Sequence, residues 1–176
     1  SLGAAARFGR GDVQWLTAGR GISHSEMFPL VEAGEPNPLE LFQIWLNLPK
    51  ADKLVEPHFT MLWDKDVPRV EAPGVEITVV AGRLADTAPP KAPPRSWASR
   101  PDSNVAIWTI KLAPNARWTL PAAPGTNRAL YFFRGTQLRA AHPAFTEHAG
   151  LRLRAEHPVA PANPGPDPLE LLLLQG

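Results

Sequence analysis

Apolar and polar residues alternate along much of the chain, and this pattern predicts short β-strands rather than helices. The clearest example is 41–48, where apolar residues at even positions alternate with a mixed set at odd positions. A period of two is typical of a strand packed on one side. The same reasoning predicts strands at 12–17 and 21–27, separated by a tight turn at Ala18-Gly19-Arg20.

A second series of strands follows a segment rich in charge and proline, 50–73, which we interpret as a connection with a short helix or turn near 65–70. Residues 1–49 and 74–176 then form two β modules. The loop 88–101 is predicted to be irregular because prolines crowd it. Strands of the second module, spaced as in a sandwich or small barrel, are predicted at 75–82, 105–112, 117–120, 129–134, 137–140, 151–155 and 169–175.

Composition narrows the possible chemistry. The chain has no cysteine, which excludes disulfides, thiolate catalysis and Cys-ligated metals, and leaves His and carboxylate as the strong metal ligands. With 18 Lys plus Arg against 17 Asp plus Glu, the charge is too balanced to favour direct nucleic-acid binding. No apolar run approaches the ~20 residues that span a membrane, so we expect a soluble, cytoplasmic protein.

Two residues with metal-binding chemistry, His24 and Glu26, lie in the second predicted strand. Side chains two apart on a strand leave the same face, so the pair could converge on one ion. Imidazole nitrogen and carboxylate oxygen suit Fe(II) or Mn(II), but a complete site needs one or two further histidines. Considered alone, a His-x-Glu pair is more often a surface or hydrogen-bonded pair on a strand.

The surroundings of this pair form three ordered motifs. They are Gly11-Asp-Val-Gln-Trp through His24-Ser-Glu26, then Phe42-Gln-Ile-Trp-Leu-Asn-Leu-Pro49, and then Lys53-Leu-Val-Glu-Pro57. Together these motifs closely resemble the pirin family of the cupin superfamily. The resemblance implies an all-β bicupin fold, in which two double-stranded β-helix barrels face each other. It also implies one Fe2+ in the N-terminal barrel, held by three histidines and one glutamate, with His24 and Glu26 as the third histidine and the glutamate.

The resemblance also predicts ligands that this sequence does not contain. The family's first two histidines form a His-x-His on an earlier strand, and no such pair occurs here. We therefore expect a chain truncated at both ends, with an incomplete N-terminal barrel. In the second barrel, Pro121-Ala-Ala-Pro124 and the turn 164–168 occupy the places where ligands would stand. We expect that barrel to bind no metal.

Two functions from different classes follow from the resemblance. The first is a dioxygenase of the quercetin 2,3-dioxygenase type, acting on a flavonol-like substrate and O2, with Glu26 as a ligand or general base and Gln43 and Trp45 as candidates for the pocket wall. The second is an iron-dependent redox-sensing protein that binds a transcription factor or enzyme without turnover. A third possibility is that this polypeptide, with only two ligands, catalyses nothing.

The remaining histidines, tryptophans and arginines have simpler explanations. We interpret His58 as a linker or surface residue, and a second metal site from His142 and His148 is a weak alternative. The tryptophans Trp15, Trp45 and Trp108 suit core or pocket wall better than base stacking. A solvated strand face is the favoured interpretation of four basic residues: Arg134, Arg139, Arg152 and Arg154.

Overall fold

The computed structural model describes residues 2–140 and 143–176. Within them the fold is almost entirely β, as predicted, and its helical segments are single 3-10 turns. None of these segments has the length and apolar character needed to cross a lipid bilayer. The strands of the described residues are β1 (Val13–Thr17), β2 (His58–Leu62), β3 (Arg69–Ala72), β4 (Val75–Ala81), β5 (Ala106–Leu112), β6 (Arg128–Arg134), β7 (Ala149–Leu153) and β8 (Leu169–Gln175).

Six of the strands form one antiparallel sheet in the order β3-β4-β5-β8-β6-β7. The last strand in sequence, β8, lies between β5 and β6, and its bounds are those predicted from the sequence. Segments 117–120 and 137–140, predicted as strands, instead make isolated bridges such as Leu120 to Val159 and Leu138 to Phe145. These bridged segments contribute core residues that pack with those of the sheet.

The main core fills the space between the sheet and the bridged segments. Strand residues on one face of the sheet are almost fully buried, as shown by Ile110, Leu130 and Leu171. Leu120 and Leu138 contribute to the same cluster from the bridged segments. Because alternate residues of β4, β5 and β6 enter this core, the apolar period of two correctly predicted these strands.

A second, smaller sheet pairs β1 with β2, from Val13 opposite Leu62 to Thr17 opposite His58. It packs through Val13, Trp15 and Leu62 against Val80 and Ile107 of the large sheet. Part of the segment predicted as a connection, 50–73, is therefore paired strand, and the linker interpretation of His58 is wrong. The division of the chain into modules at 49 and 74 stays a prediction.

Two predicted strands are absent from the described residues. Neither 21–27 nor 41–48 forms a regular strand, and both segments are irregular. Large apolar side chains there are exposed, with Met27 and Trp45 each 89% accessible. An alternating pattern provides a strand with a face to bury, but the strand also needs a neighbouring backbone to pair with. Within the described residues, no strand pairs with either segment.

Candidate metal centre

The chain enters the region of His24 through a tight turn, as the sequence predicted. The amide of Gly21 donates to the carbonyl of Ala18 (2.9 Å), and Gly19 has a φ of +51°. The turn is attached to the segment before β2, because the amide of Arg20 donates to the carbonyl of Val55 (2.9 Å). The backbone at the start of the candidate site is therefore held by contacts outside its own segment.

The chain leaves the region through contacts with the large sheet. Arg134 donates to the carboxylates of Glu40 (2.8 Å) and Glu170 (3.1 Å). The hydrogen bond from Glu40, followed by the charge of Glu170, raises the pKa of Arg134 above its usual range. Two residues after Glu40, the ring of Phe42 meets Phe133 edge to face, with centroids 4.7 Å apart. Contacts thus hold both ends of the segment that carries His24 and Glu26.

Both predicted metal ligands, His24 and Glu26, are exposed to solvent on irregular backbone. The prediction that they share one face of a strand is wrong, because no strand forms there. Their donor atoms, an imidazole nitrogen and carboxylate oxygens, fit Fe(II) or a similar divalent ion. Across 2–140 and 143–176, no group of three or more His, Cys, Asp or Glu side chains could hold a metal. The pair therefore supplies two donors of the right kind and too few for a complete centre.

The other described histidines lie elsewhere. His58 is in β2, opposite Thr17. His148 is exposed and meets the ring of Phe132 edge to face, with centroids 5.4 Å apart. His157 borders a separate cleft beside β7. His142, predicted as a weak partner of His148 in a second site, lies outside the described residues, so that hypothesis stays a prediction.

The structure reveals a cleft that the sequence did not locate. It has a volume of about 660 Å³ and runs along the outer face of the large sheet. Trp45 lines it, but His24 and Glu26 do not, so the role of Trp45 in a substrate pocket stays a prediction. Gln43 is not among its lining residues. Tyr131 and Trp97 also line it, and Trp97 comes from the proline-rich loop 88–101. The cleft also borders one buried charged residue, Arg128.

Replacing Gly19 by alanine should loosen the turn before His24. A Cβ at Gly19 would lie 2.0 Å from the carbonyl oxygen of Val55, which accepts the hydrogen bond from Arg20. We expect the variant to lose about 2 kcal/mol of unfolding free energy, because strain at positive φ adds to the displacement of Val55. Hydrogen exchange at the Arg20 amide should accelerate, which NMR would measure.

The matched control for this prediction is Gly34→Ala. Gly34 also has positive φ (+84°), but an added Cβ meets nothing within 4 Å. Gly34→Ala should lower the unfolding free energy by only about 1 kcal/mol, which is the strain of the left-handed conformation. Equal losses in the two variants would contradict the steric role assigned to the contact between Gly19 and Val55.

Comparison with known proteins adds family information to this geometry. The Pirin family model matches residues 1–46, the segment that carries His24 and Glu26. The protein named "Putative quercetin 2,3-dioxygenase PA2418" of Pseudomonas aeruginosa is 33% identical over 184 residues, which cover 100% of this chain and 59% of the relative. Human pirin is 32% identical over 133 residues, covering 76% of this chain and 41% of the relative. The chain thus spans little more than half the length of the first of these relatives.

A solved structure agrees with the observed fold. The crystal structure of quercetin 2,3-dioxygenase from Acinetobacter baumannii superposes with a TM-score of 0.67 at 19% identity, covering 94% of this chain and 55% of the other. At this identity the likeness concerns the fold alone, and it confirms the predicted all-β cupin architecture. Because the family match and the curated relatives agree with the motifs around His24, we conclude that the chain belongs to the pirin family.

Proposed function

We propose that this chain contributes two ligands, His24 and Glu26, to the non-haem iron centre of a pirin-type dioxygenase. The observation that carries the proposal is an exposed imidazole and carboxylate, two residues apart, inside the segment that the Pirin model matches. The name of the Pseudomonas relative supports a reaction of the quercetin 2,3-dioxygenase type, with a flavonol-like substrate and O2. The described residues contain no group of three or more candidate ligands, so the proposed centre requires ligands besides His24 and Glu26.

The two side chains would have different roles. When bound, iron would supply Lewis acidity and a path for electrons between substrate and O2. The neutral imidazole of His24 would hold the ion through a ring nitrogen, which requires that this nitrogen carry no proton. The carboxylate of Glu26 would either ligate the ion or accept the proton of the flavonol 3-hydroxyl as a general base. Each role requires an accessible side chain, and both are exposed.

Iron content of the natural polypeptide tests the ligand assignment. In His24→Ala and in Glu26→Gln, we expect bound iron to fall at least tenfold, because each change removes one donor from a small set. His157→Ala is the matched control, since His157 is exposed and lies beside another cleft. Elemental analysis after dialysis gives the iron-to-protein ratio. If His24→Ala keeps as much iron as the unmodified protein, His24 is not a ligand.

The second candidate function, an iron-dependent binding protein, is favoured by one observation. Large apolar side chains flank the His24 segment and are exposed, with Met27 89%, Leu30 81% and Trp45 89% accessible. Patches of this kind often mark interaction sites. In this function the oxidation state of the iron would set the affinity for a partner protein, with no substrate turned over.

Oxygen consumption separates the two functions. With quercetin present, the iron-loaded natural protein should consume O2, and Glu26→Gln should slow this uptake at least a hundredfold if Glu26 is the general base. No uptake with flavonols, combined with a partner affinity that differs between Fe(II) and Fe(III), would replace the dioxygenase proposal with the binding function.

A further inference from the structure

Strand β7 forms one edge of the large sheet. It pairs with β6 on one side, and among the described residues no strand pairs with its other side. In an antiparallel ladder, alternate residues of an edge strand direct their N–H and C=O groups away from the strand they already pair with. No backbone hydrogen bond from elsewhere in 2–140 or 143–176 reaches Ala149–Leu153. The free edge of β7 therefore offers a row of main-chain donors and acceptors.

A cleft of about 460 Å³, which His157 also borders, lies along this free edge. Five consecutive residues, 150–154, line it. Consecutive side chains leave opposite faces of a strand, so a space that all five border must lie beside the edge of the strand and not over one face. The other wall includes Phe145 and Val159, the partners of two isolated bridges. This edge cleft thus separates β7 from the bridged segments.

The side chains of β7 alternate in chemistry along the edge cleft. Leu151 and Leu153 are half-buried and pack against the main core. Arg152 and Arg154 are exposed. Neither arginine forms an ion pair with a carboxylate of the described residues. No acidic side chain of that part of the chain lines the cleft. An apolar floor therefore lies beside two positive charges that no carboxylate there neutralises.

We propose that the free edge of β7 binds an extended segment of a partner protein in which apolar and acidic residues alternate. Such a segment adds a strand to the sheet, and residues directly opposite each other on paired strands lie on the same face. Its apolar side chains lie beside Leu151 and Leu153, and its carboxylates lie beside Arg152 and Arg154. This interface is independent of the proposed iron centre, because the edge cleft includes none of the residues of the His24 segment.

The edge and the floor together favour a peptide as the occupant. The arginines alone would attract any anion, including the phosphates of a nucleic acid. A phosphate backbone, however, has no row of amide and carbonyl groups to pair with β7, and it buries no apolar side chain against Leu151 and Leu153. An alternating segment satisfies all three features, and its alternation fixes the register because a slip of one residue would place carboxylates on the apolar floor.

Three synthetic peptides test the proposal on the natural protein. The first, acetyl-Thr-Val-Glu-Val-Glu-Val-Thr-amide, has the complementary alternation. The second contains the same residues in the order Thr-Val-Val-Glu-Glu-Val-Thr, and the third replaces both glutamates of the first by lysine. In calorimetry, the alternating peptide should bind at least tenfold more tightly than either of the others. If it does not bind, or binds no more tightly than the shuffled peptide, the proposal fails.

Charge reversal locates the binding. The double variant Arg152→Glu, Arg154→Glu changes two exposed side chains, and should weaken binding of the alternating peptide at least tenfold and prefer the lysine peptide. The matched control is Arg83→Glu, Lys91→Glu, which makes the same change in net charge at exposed residues outside the cleft. The control should bind the alternating peptide within about twofold of the unmodified protein. A double variant at Arg152 and Arg154 that still prefers the glutamate peptide would overturn the proposal.

Hydrogen exchange in the unmodified protein distinguishes an added strand from charge attraction alone. The β7 amides that point away from β6 should exchange at least tenfold more slowly when the alternating peptide is at saturation, because the peptide carbonyls accept their hydrogen bonds. Exchange at all β7 amides that is equally fast with and without peptide would contradict strand addition.

A second copy of this chain is the alternative occupant of the edge. Sedimentation of the natural protein tests it, and we expect no dimer that the alternating peptide fails to dissociate. A dimer that persists at saturating peptide, with the β7 amides protected in it, would assign the edge to self-association and overturn the partner assignment.

Discussion

Replacing Gly82 by alanine is expected to cost about 4 kcal/mol of unfolding free energy, measured by urea denaturation. Gly82 follows β4 with a φ of +76°, and an added Cβ would lie 2.5 Å from the carbonyl oxygen of Val105 and 2.7 Å from the Cα of Ala106. These are backbone atoms at the start of β5 and cannot rotate away. Strain at positive φ contributes about 1–2 kcal/mol, and separating the two strands accounts for the rest.

The displacement would extend to a buried tryptophan. The indole N–H of Trp108 donates to the carbonyl of Gly82 (3.3 Å), and Trp108 is 4% exposed. If Gly82 moves away from β5, this bond lengthens inside the core, where a lost partner costs about 1–3 kcal/mol. The fluorescence of the protein should therefore change in the folded state as well as on unfolding.

Gly125 provides a control with almost the same backbone conformation. Its φ is +80°, and an added Cβ meets nothing within 4 Å. Gly125→Ala should cost about 1 kcal/mol, since it carries the strain without the collision. If Gly82→Ala and Gly125→Ala lose the same unfolding free energy, the close approach between Gly82 and β5 does not determine the cost of a side chain at position 82.

The sequence predicted the second module well for a physical reason. Strands β4, β5, β6 and β8 bury alternate residues in a core that they share, so the apolar period of two reflects the contacts they make. For β8, even the bounds agree with the prediction. The bridged segment 117–120 also contributes to the core, but it is too short and irregular for a ladder.

The same reasoning was wrong where the pattern lacked a pairing partner. Segment 41–48 has the best alternation in the chain, but its residues are mostly exposed on irregular backbone. Conversely, β2 lies within charge-rich sequence that gave no strand signal, and pairing with β1 determines its conformation. Hydrogen-bond partners between distant segments are not encoded in local periodicity, which limits single-sequence prediction of β structure.

The candidate sites show the same limits. The predicted convergence of His24 and Glu26 assumed a strand, so this assignment now depends on family motifs and not on spacing. The burial of Arg128 was also missed, because the predicted strand began at Ala129, one residue too late. Arg128 lies two residues before the buried Leu130 and therefore on the same face of the strand. A charged side chain at such an inward position is the signal that could have indicated its burial.

The largest effect expected from one buried polar side chain concerns Asn163, which holds the turn before β8. Asn163 is 1% exposed. Its Nδ2 donates to the carbonyls of Leu112 (2.9 Å) and Asp167 (2.8 Å), and its Oδ1 accepts from the amide of Gly165 (2.9 Å). The bond to Leu112 connects the turn to the end of β5, and the other two close the turn itself. Asn163→Leu would leave all three backbone groups unpaired, and we expect a loss of about 3–5 kcal/mol at every pH.

Asn163→Asp should be destabilised by a similar amount at neutral pH, but with a strong pH dependence. The carboxylate keeps the bond from Gly165 but faces two carbonyl oxygens where the amide had donated. Burial and this repulsion raise the pKa of the new carboxyl above its unfolded value of about 3.9. The folded state then binds more protons, so unfolding free energy falls as pH rises from about 4, by up to ~1.4 kcal/mol per unit. The protonated carboxyl can donate one bond, so the variant should recover stability in acid.

Subtracting the unmodified protein at each pH isolates this effect, because the other titrating groups are common to both. The exposed Asn104→Asp is the control for a new carboxylate, and its difference from the unmodified protein should stay within about 0.5 kcal/mol between pH 4 and 7. Asn163→Leu should differ by a constant amount over that range. If Asn163→Asp also differs by a constant amount, the new carboxyl is solvated in the folded state, and the buried hydrogen bonds of Asn163 do not hold the turn before β8.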